Sequence, residues 1–135
     1  MNSRVGIGLV TVVLAVATLA AGANASDSWI CCLTEAVACD DDGTIGPPDL
    51  GGLERPTFLR VDADRRQITL LAPASRRGEV TPIETVLQGD GVWMFSGTEE
   101  QRAWSLVIAD SGHLTLSVTT DGAVWSVFGN AMREE

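Results

Sequence analysis

Residues 102–130 read RAWSLVIADSGHLTLSVTTDGAVWSVFGN, and apolar side chains recur in them at every second position. This alternation is typical of half-buried β-strands. The alternation is interrupted at Asp110-Ser111-Gly112 and at Asp121-Gly122. Asp121-Gly122 favours a two-residue type I′ turn because glycine accepts a positive φ. The segment therefore predicts three antiparallel strands joined by two hairpin turns.

The two turns give independent predictions of the strand register. A turn at residues 121–122 places Trp125 opposite Val118, and a loop at residues 110–112 places Trp104 opposite Val118. Both assignments put the same apolar side chains on one face: Trp104, Leu106, Ile108, Leu114, Leu116, Val118, Trp125 and Val127. The other face carries mostly Ser and Thr, so a slip of one residue would exchange the two faces. Val107 and Phe128 are apolar exceptions there and suggest a partly covered face or a patch for a partner.

Further strands are predicted upstream. Residues 58–61 can pair with 67–71, residues 80–88 can pair with 92–96, and residues 28–38 form a strand or, in part, a helical turn. Pro73 and Pro82 are expected at strand ends or edges.

The fold class is therefore all-β, a single small antiparallel meander of seven to eight strands. We expect a closed or nearly closed β-barrel with a filled interior, the alternative being a flattened β-sandwich. Residues 26–56 are predicted as an N-terminal strand plus an irregular connection rich in Cys, Asp, Gly and Pro. Residues 57–130 form the meander, and residues 131–135 form a tail.

The first 25 residues have the composition of a secretory signal peptide. Arg4 precedes an uncharged run at residues 5–21, and Ala23-Asn24-Ala25 fits the small-x-small cleavage pattern. We expect cleavage after Ala25, a periplasmic or secreted protein, and no membrane insertion after leader removal. An uncleaved membrane anchor is the alternative, since about 17 apolar residues lie near the short limit for spanning a bilayer.

The charge balance argues against nucleic-acid binding. The 135 residues carry nine Lys+Arg against eighteen Asp+Glu, with a formal net charge of −9 and a pI near 4.4. Nucleic-acid binding depends on clustered cations that release counterions from phosphates. The length is that of one domain.

Three cysteines, Cys31, Cys32 and Cys39, follow the leader. Because cysteines normally pair in an oxidising compartment, we expect a disulfide between Cys31 and Cys39 or between Cys32 and Cys39. The remaining thiol would be buried or would link two copies into a disulfide-bonded dimer. A metal site is disfavoured because adjacent cysteines do not readily occupy two corners of a tetrahedron, and no metal or cofactor is predicted.

Other polar clusters are assigned structural roles. Asp40-Asp41-Asp42 lacks the acid spacing of an EF-hand and is expected to be a solvated turn rather than a calcium site. Asp62 and Asp64 are expected to cap a hairpin turn. His113 is the only histidine and has no nucleophile-elbow sequence near it, so no catalytic residue is predicted.

Two arginine pairs and two tryptophans are candidate surface features. Arg65-Arg66 and Arg76-Arg77 are expected to solubilise loop tips, and an anion site is the alternative. Trp29 and Trp93 lie outside the predicted core, so we expect them to be anchors for a protein partner.

Residues 102–108, 112–118 and 127–129 resemble the closing portion of a group of small exported bacterial proteins of uncharacterised function. The resemblance covers Thr57 to Gly129. In that group a cysteine tends to follow the Phe-Gly pair, whereas Asn130 and Ala131 follow it here. The resemblance implies a disulfide between the first segment and the last strand, and this sequence lacks the cysteine on the last strand. The resemblance implies export and a strand-rich fold and brings no known substrate or activity.

These observations favour a non-enzymatic interaction or inhibitor-type protein of the cell envelope, with a protein as its partner. The alternative is a carrier of a small apolar ligand or a metal ion. A hydrolase that uses His113 with a nearby Ser or Asp has the least support.

Overall fold

The computed structural model describes residues 27–48 and 55–135, and these residues form an all-β structure. The predicted leader lies outside the described residues. The one helical element within these ranges is a 3-10 turn at Ala74–Arg76. The strands are β1 Ser28–Asp40, β2 Ile45–Gly46, β3 Thr57–Asp62, β4 Gln67–Ala72, β5 Val80–Pro82, β6 Thr85–Gln88, β7 Val92–Glu99, β8 Arg102–Ala109, β9 His113–Thr120 and β10 Ala123–Arg133.

All ten strands belong to one antiparallel sheet with the order β5-β4-β3-β1-β10-β9-β8-β7-β6, and β2 pairs with β1 outside this path. From β3 to β5 and from β6 to β10, strands that follow one another in the chain are neighbours in the sheet, as the predicted meander requires. In addition, the first strand pairs with the last, so Trp29 lies opposite Arg133. β10 therefore continues three residues into the predicted tail.

The sheet is curled but open, so the predicted closed barrel is wrong, and no second sheet forms a sandwich among the described residues. The two edge strands, β5 and β6, are consecutive in the chain and pair with β4 and β7 respectively. The chain crosses between them at Ile83, whose N–H donates to Arg66 O, and at Glu84, whose N–H donates to Ser96 O. Pro82 has no N–H to extend the ladder. The chain therefore passes from one edge of the sheet to the other within two residues, and β5 and β6 do not pair with each other.

The register predicted for residues 102–130 is confirmed. Trp125 lies opposite Val118, Trp104 lies opposite Val118, and Leu106 lies opposite Leu116. The side chains of β8 alternate between buried and half-buried or exposed, with Trp104, Leu106 and Ile108 on the concave face. The predicted type I′ turn at Asp121-Gly122 is wrong in its geometry, because Gly122 has a φ of +83° while Asp121 is not in the positive-φ region.

One end of the concave face is filled by aromatic side chains. Trp29 contacts Trp93 at 5.1 Å between ring centroids and Phe95 at 5.6 Å, both edge to face. The guanidinium of Arg133 lies 5.1 Å from the ring centroid of Trp29, and Arg133 also pairs with Asp27. We call this the filled end and include in it the buried residues Val61, Ile83, Ile108 and Leu114.

The central pairing of β1 with β10 contains a close backbone approach. The register shifts between Leu33 and Glu35, opposite Phe128 and Gly129, in the manner of a β-bulge. A Cβ at Gly129 would lie 1.9 Å from the carbonyl oxygen of Cys32. Only glycine fits at this position.

Candidate functional site

The other end of the concave face is hollow. It holds a cavity of about 190 Å³ that opens to solvent, so the predicted filled interior is wrong at this end. Strands β1, β3, β4, β8, β9 and β10 supply its apolar wall, which includes Leu70, Trp104, Leu116, Val118, Trp125 and Val127. Leu116, Val118 and Trp125 face inward as predicted but remain half-buried, because the space in front of them is empty.

The position of Trp104 accounts for part of the hollow. Trp104 pairs with Gly97 across β7 and β8, and a Cβ at Gly97 would lie 2.9 Å from its indole ring. The ring therefore lies on the backbone of Gly97 instead of crossing the interior. Its Nε1 is buried and has no hydrogen-bond partner among the described residues.

One charged pair at the mouth is already neutralised. Arg76 Nε and Nη2 donate to the two carboxylate oxygens of Glu79, at 2.9 and 2.8 Å. These hydrogen bonds raise the pKa of Arg76 and lower the pKa of Glu79. Such a two-point pair leaves little charge free for a ligand.

A second set of charges at the mouth is more loosely held. Glu99 and Arg102 both line the cavity and lie opposite each other at the end of the β7–β8 hairpin. Arg102 Nη2 lies 3.7 Å from Glu100 Oε2, and its guanidinium lies 5.2 Å from the ring centroid of Trp125. Glu99 Oε1 accepts a hydrogen bond from Thr81 Oγ1 at 3.2 Å. We define Glu99, Arg102 and Trp125 as the rim.

The turn that presents the rim has an unusual backbone. Glu100 and Gln101 have φ values of +49° and +66°, a combination that normally requires Asn-Gly or Asp-Gly. Each non-glycine residue in this region costs on the order of 1 kcal/mol. The sequence contains no turn signal here, so sequence reasoning missed this hairpin turn.

Replacing the two turn residues, Glu100→Asn with Gln101→Gly, is expected to raise the free energy of unfolding by about 1 kcal/mol, because both new residues tolerate positive φ. Urea unfolding followed by tryptophan fluorescence measures the change. Asp121→Asn is the control, since Asp121 does not adopt a positive φ, and we expect no comparable gain there. An unchanged or lower stability of the double variant would contradict the assignment of strain to this turn.

The predicted intramolecular disulfide is contradicted. All three cysteines are free and lie on β1, where Cys39 follows Cys32 by seven positions. At about 3.3 Å per strand residue, these Cα atoms are on the order of 20 Å apart, whereas a disulfide requires roughly 4.4–6.8 Å. Burial raises the pKa of the Cys31 thiol to about 12, which leaves this thiol protonated and unreactive.

The prediction that Trp29 and Trp93 are surface anchors is wrong for Trp29, which is only 4% exposed and belongs to the filled end. Trp93 is half-buried and stacks on Phe95 at 6.1 Å. The sequence did not predict this burial because the contacts join β1 to β7, which are far apart in the chain.

The remaining predicted polar features occupy turns. Asp42 Oδ1 accepts from the N–H of Thr44 at 2.8 Å, which lowers the pKa of Asp42. Asp62 Oδ1 accepts from the N–H of Arg65 at 2.9 Å, as the predicted turn-capping role requires. His113 Nδ1 lies 3.2 Å from Ser111 Oγ in an exposed turn. The described residues contain no cluster of three His, Cys, Asp or Glu side chains that could hold a metal ion.

Apolar side chains are also exposed on the convex face of the central strands. Phe128, one of the apolar exceptions noted on this face, is 44% exposed, and Phe58 and Val124 are similarly exposed. Acidic and polar residues such as Glu35 and Asn130 are interspersed among them.

Comparison of the chain with protein-family models, curated proteins and solved structures gives no match. The resemblance to small exported bacterial proteins therefore stays a prediction. Within the described residues, no helix has the length and apolar character needed to cross a bilayer. The fold and the cavity thus define the class of molecule: an all-β protein with a curled, open sheet that is hollow at one end.

Proposed function

We propose that this protein binds a small molecule whose apolar part occupies the cavity. The observation that carries the proposal is an apolar hollow of about 190 Å³ with charged and hydroxyl groups gathered at its mouth. A concave apolar pocket with a few convergent polar groups is the usual form of a ligand site. This is the carrier alternative of the sequence analysis, limited to an organic ligand.

The volume limits the size of the apolar part. A cavity of about 150 Å³ lined by aliphatic and aromatic side chains holds one benzene molecule. A cavity of about 190 Å³ therefore suits a single aromatic ring with a short substituent, or a branched aliphatic group of similar size. The apolar part of a long acyl chain or of a polycyclic ligand would extend out of the cavity into solvent.

The cavity supports this function better than the convex face supports a protein partner. The exposed side chains on the convex face are mixed with charged and amide groups, and scattered apolar exposure is normal on a protein surface. A hydrolase has less support still, because the only hydrogen-bond partner of the His113 ring among the described residues is the hydroxyl of Ser111, two residues earlier in the chain.

The location of the protein is part of the proposal. The charge pattern at residues 1–4, the uncharged run and the Ala23-Asn24-Ala25 site support export to the periplasm or the medium. An exported binding protein would meet its ligand outside the cytoplasm.

Titration with ethylbenzene tests the proposal. We expect a Kd on the order of 1 mM or tighter, measured by ¹H–¹⁵N chemical-shift perturbation, because transfer of one apolar ring into the cavity removes its surface from water. Val118→Phe fills the hollow from a half-buried wall position and should weaken binding at least tenfold.

Val124→Phe is the matched control, since Val124 is 45% exposed on the convex face and lies outside the cavity wall. Ethylbenzene should bind this variant as it binds the original chain. Failure of the original chain to bind ethylbenzene, or equal binding by the Val118→Phe variant, would contradict the proposed function.

A further inference from the structure

The charges at the mouth of the cavity divide into those that are neutralised and those that remain available. The double hydrogen bond between Arg76 and Glu79 uses both oxygens of that carboxylate. Arg55 lies 3.8 Å from Glu35 on β1. The hydrogen-bonded Arg76–Glu79 pair therefore contributes no net charge to the mouth, whereas the contact of Arg55 with Glu35 is too long for a hydrogen bond and holds Arg55 only loosely.

Glu99 and Arg102 are different, because they face each other across the hairpin without pairing. Antiparallel partners have Cβ atoms about 4.5–5.5 Å apart, close enough for an ion pair. Arg102 is instead directed to Glu100 and to the face of Trp125. Among the described residues, Glu99 has no ion pair within 4.0 Å, and its Oε2 has no hydrogen-bond partner.

The contact that holds Arg102 is easily exchanged. The distance of 3.7 Å to Glu100 is too long for a hydrogen bond, and the Glu100 side chain is 76% exposed. Exposed pairs of this kind contribute little to stability. A ligand carboxylate can therefore replace Glu100 on the guanidinium at small cost.

We infer that the cavity takes a zwitterion, an α-amino acid with an aromatic or branched aliphatic side chain, whose carboxylate meets Arg102 and whose ammonium group meets Glu99. This inference rests on the proposed function and names its ligand class. Glu99 would repel a ligand that carries only a negative charge, and Arg102 would repel a ligand that carries only a positive charge. A ligand that carries both charges complements both residues while its side chain fills the apolar hollow.

Four ligands with one phenethyl skeleton test the inference: L-phenylalanine, 3-phenylpropionate, phenethylamine and ethylbenzene. At pH 7 we expect L-phenylalanine to bind about fivefold tighter than each singly charged ligand, since each lost contact is a half-exposed ion pair. Isothermal titration calorimetry or chemical-shift perturbation measures the four Kd values.

Two variants assign the contacts to their residues. Arg102→Gln should abolish the preference for L-phenylalanine over phenethylamine while keeping its preference over 3-phenylpropionate. Glu99→Gln should abolish the preference for L-phenylalanine over 3-phenylpropionate while keeping its preference over phenethylamine. Both side chains are at the surface of the mouth, and circular dichroism verifies that each variant is folded.

The outcomes separate this inference from the proposed function. If ethylbenzene binds and L-phenylalanine gains nothing over it, the zwitterion assignment is wrong and the apolar cavity site stands. Tightest binding of 3-phenylpropionate or of phenethylamine, or preferences that the two variants leave unchanged, would also overturn the assignment. If none of the four ligands binds, both the inference and the proposed function fail.

Discussion

The Gly129→Ala variant is expected to lose more than about 3 kcal/mol of unfolding free energy, which is a large share of the roughly 5–15 kcal/mol that stabilises a small domain. The added Cβ would lie 1.9 Å from Cys32 O and 3.0 Å from Leu33 Cα. Both obstacles are backbone atoms, so no change of side-chain rotamer relieves the clash. The central pairing of β1 with β10 would have to separate.

Urea unfolding monitored by tryptophan fluorescence measures this loss. Gly46→Ala is the control, because Gly46 lies in β2 and a Cβ there meets nothing within 4 Å. We expect the control to change stability by less than about 1 kcal/mol. If the two variants were equally stable, the pairing of β1 with β10 would be wrong in register.

Phe95→Ala should cost about 3–5 kcal/mol of unfolding free energy, while Phe128→Ala should cost less than about 1 kcal/mol. The same atoms are removed in both variants, but Phe95 is fully buried between the tryptophans of the filled end and Phe128 is 44% exposed on the convex face. The comparison therefore tests which face of the sheet is buried, because the residue type is the same in both variants.

The measurement is again urea unfolding. The comparison is valid if the unfolding free energy of both variants depends on urea concentration with the same slope. A cost for Phe128→Ala that matches the cost for Phe95→Ala would show that the convex face is covered, as the sequence analysis considered for Phe128. It would also contradict the assignment of the core to one face.

The sequence predicted the part of the fold that depends on local signals. In residues 102–130 the alternation is strict, and the turn at residues 121–122 contains glycine at the one position that needs a positive φ. Register follows from these two features, because a slip of one residue would expose the apolar face. The structure agrees with the predicted partners of Trp104, Leu106 and Trp125.

Features set by long-range contacts were not predictable in the same way. The opening between β5 and β6 depends on which carbonyl oxygens accept hydrogen bonds from the N–H groups of Ile83 and Glu84. Those oxygens lie on two different hairpins. The disulfide was inferred from compartment and cysteine number, but all three cysteines lie on β1, with Cys39 seven residues beyond Cys32. Compartment predicts whether cysteines tend to pair, whereas only the fold decides whether they can meet.

The candidate site was the least predictable part. Part of the hollow exists because the Trp104 ring lies on Gly97, and a sequence shows how large an indole is but not where it points. The rim is presented by a turn whose residues, Glu100 and Gln101, carry no turn signal. The spacing of Glu99 and Arg102 around these two residues is the one pattern that could have been noticed, since a two-residue turn makes them partners.

Intermolecular NOEs between ethylbenzene and the methyl groups of the protein provide the most direct measurement. If the concave face is hollow at one end and filled at the other, ring protons will show NOEs to Leu70, Leu116 and Val118, which line the cavity. They will show none to Leu114, which is only 1% exposed in the filled end. NOEs to Val124 or Met132 on the convex face, in place of the cavity methyls, would contradict a ligand site inside the curled sheet.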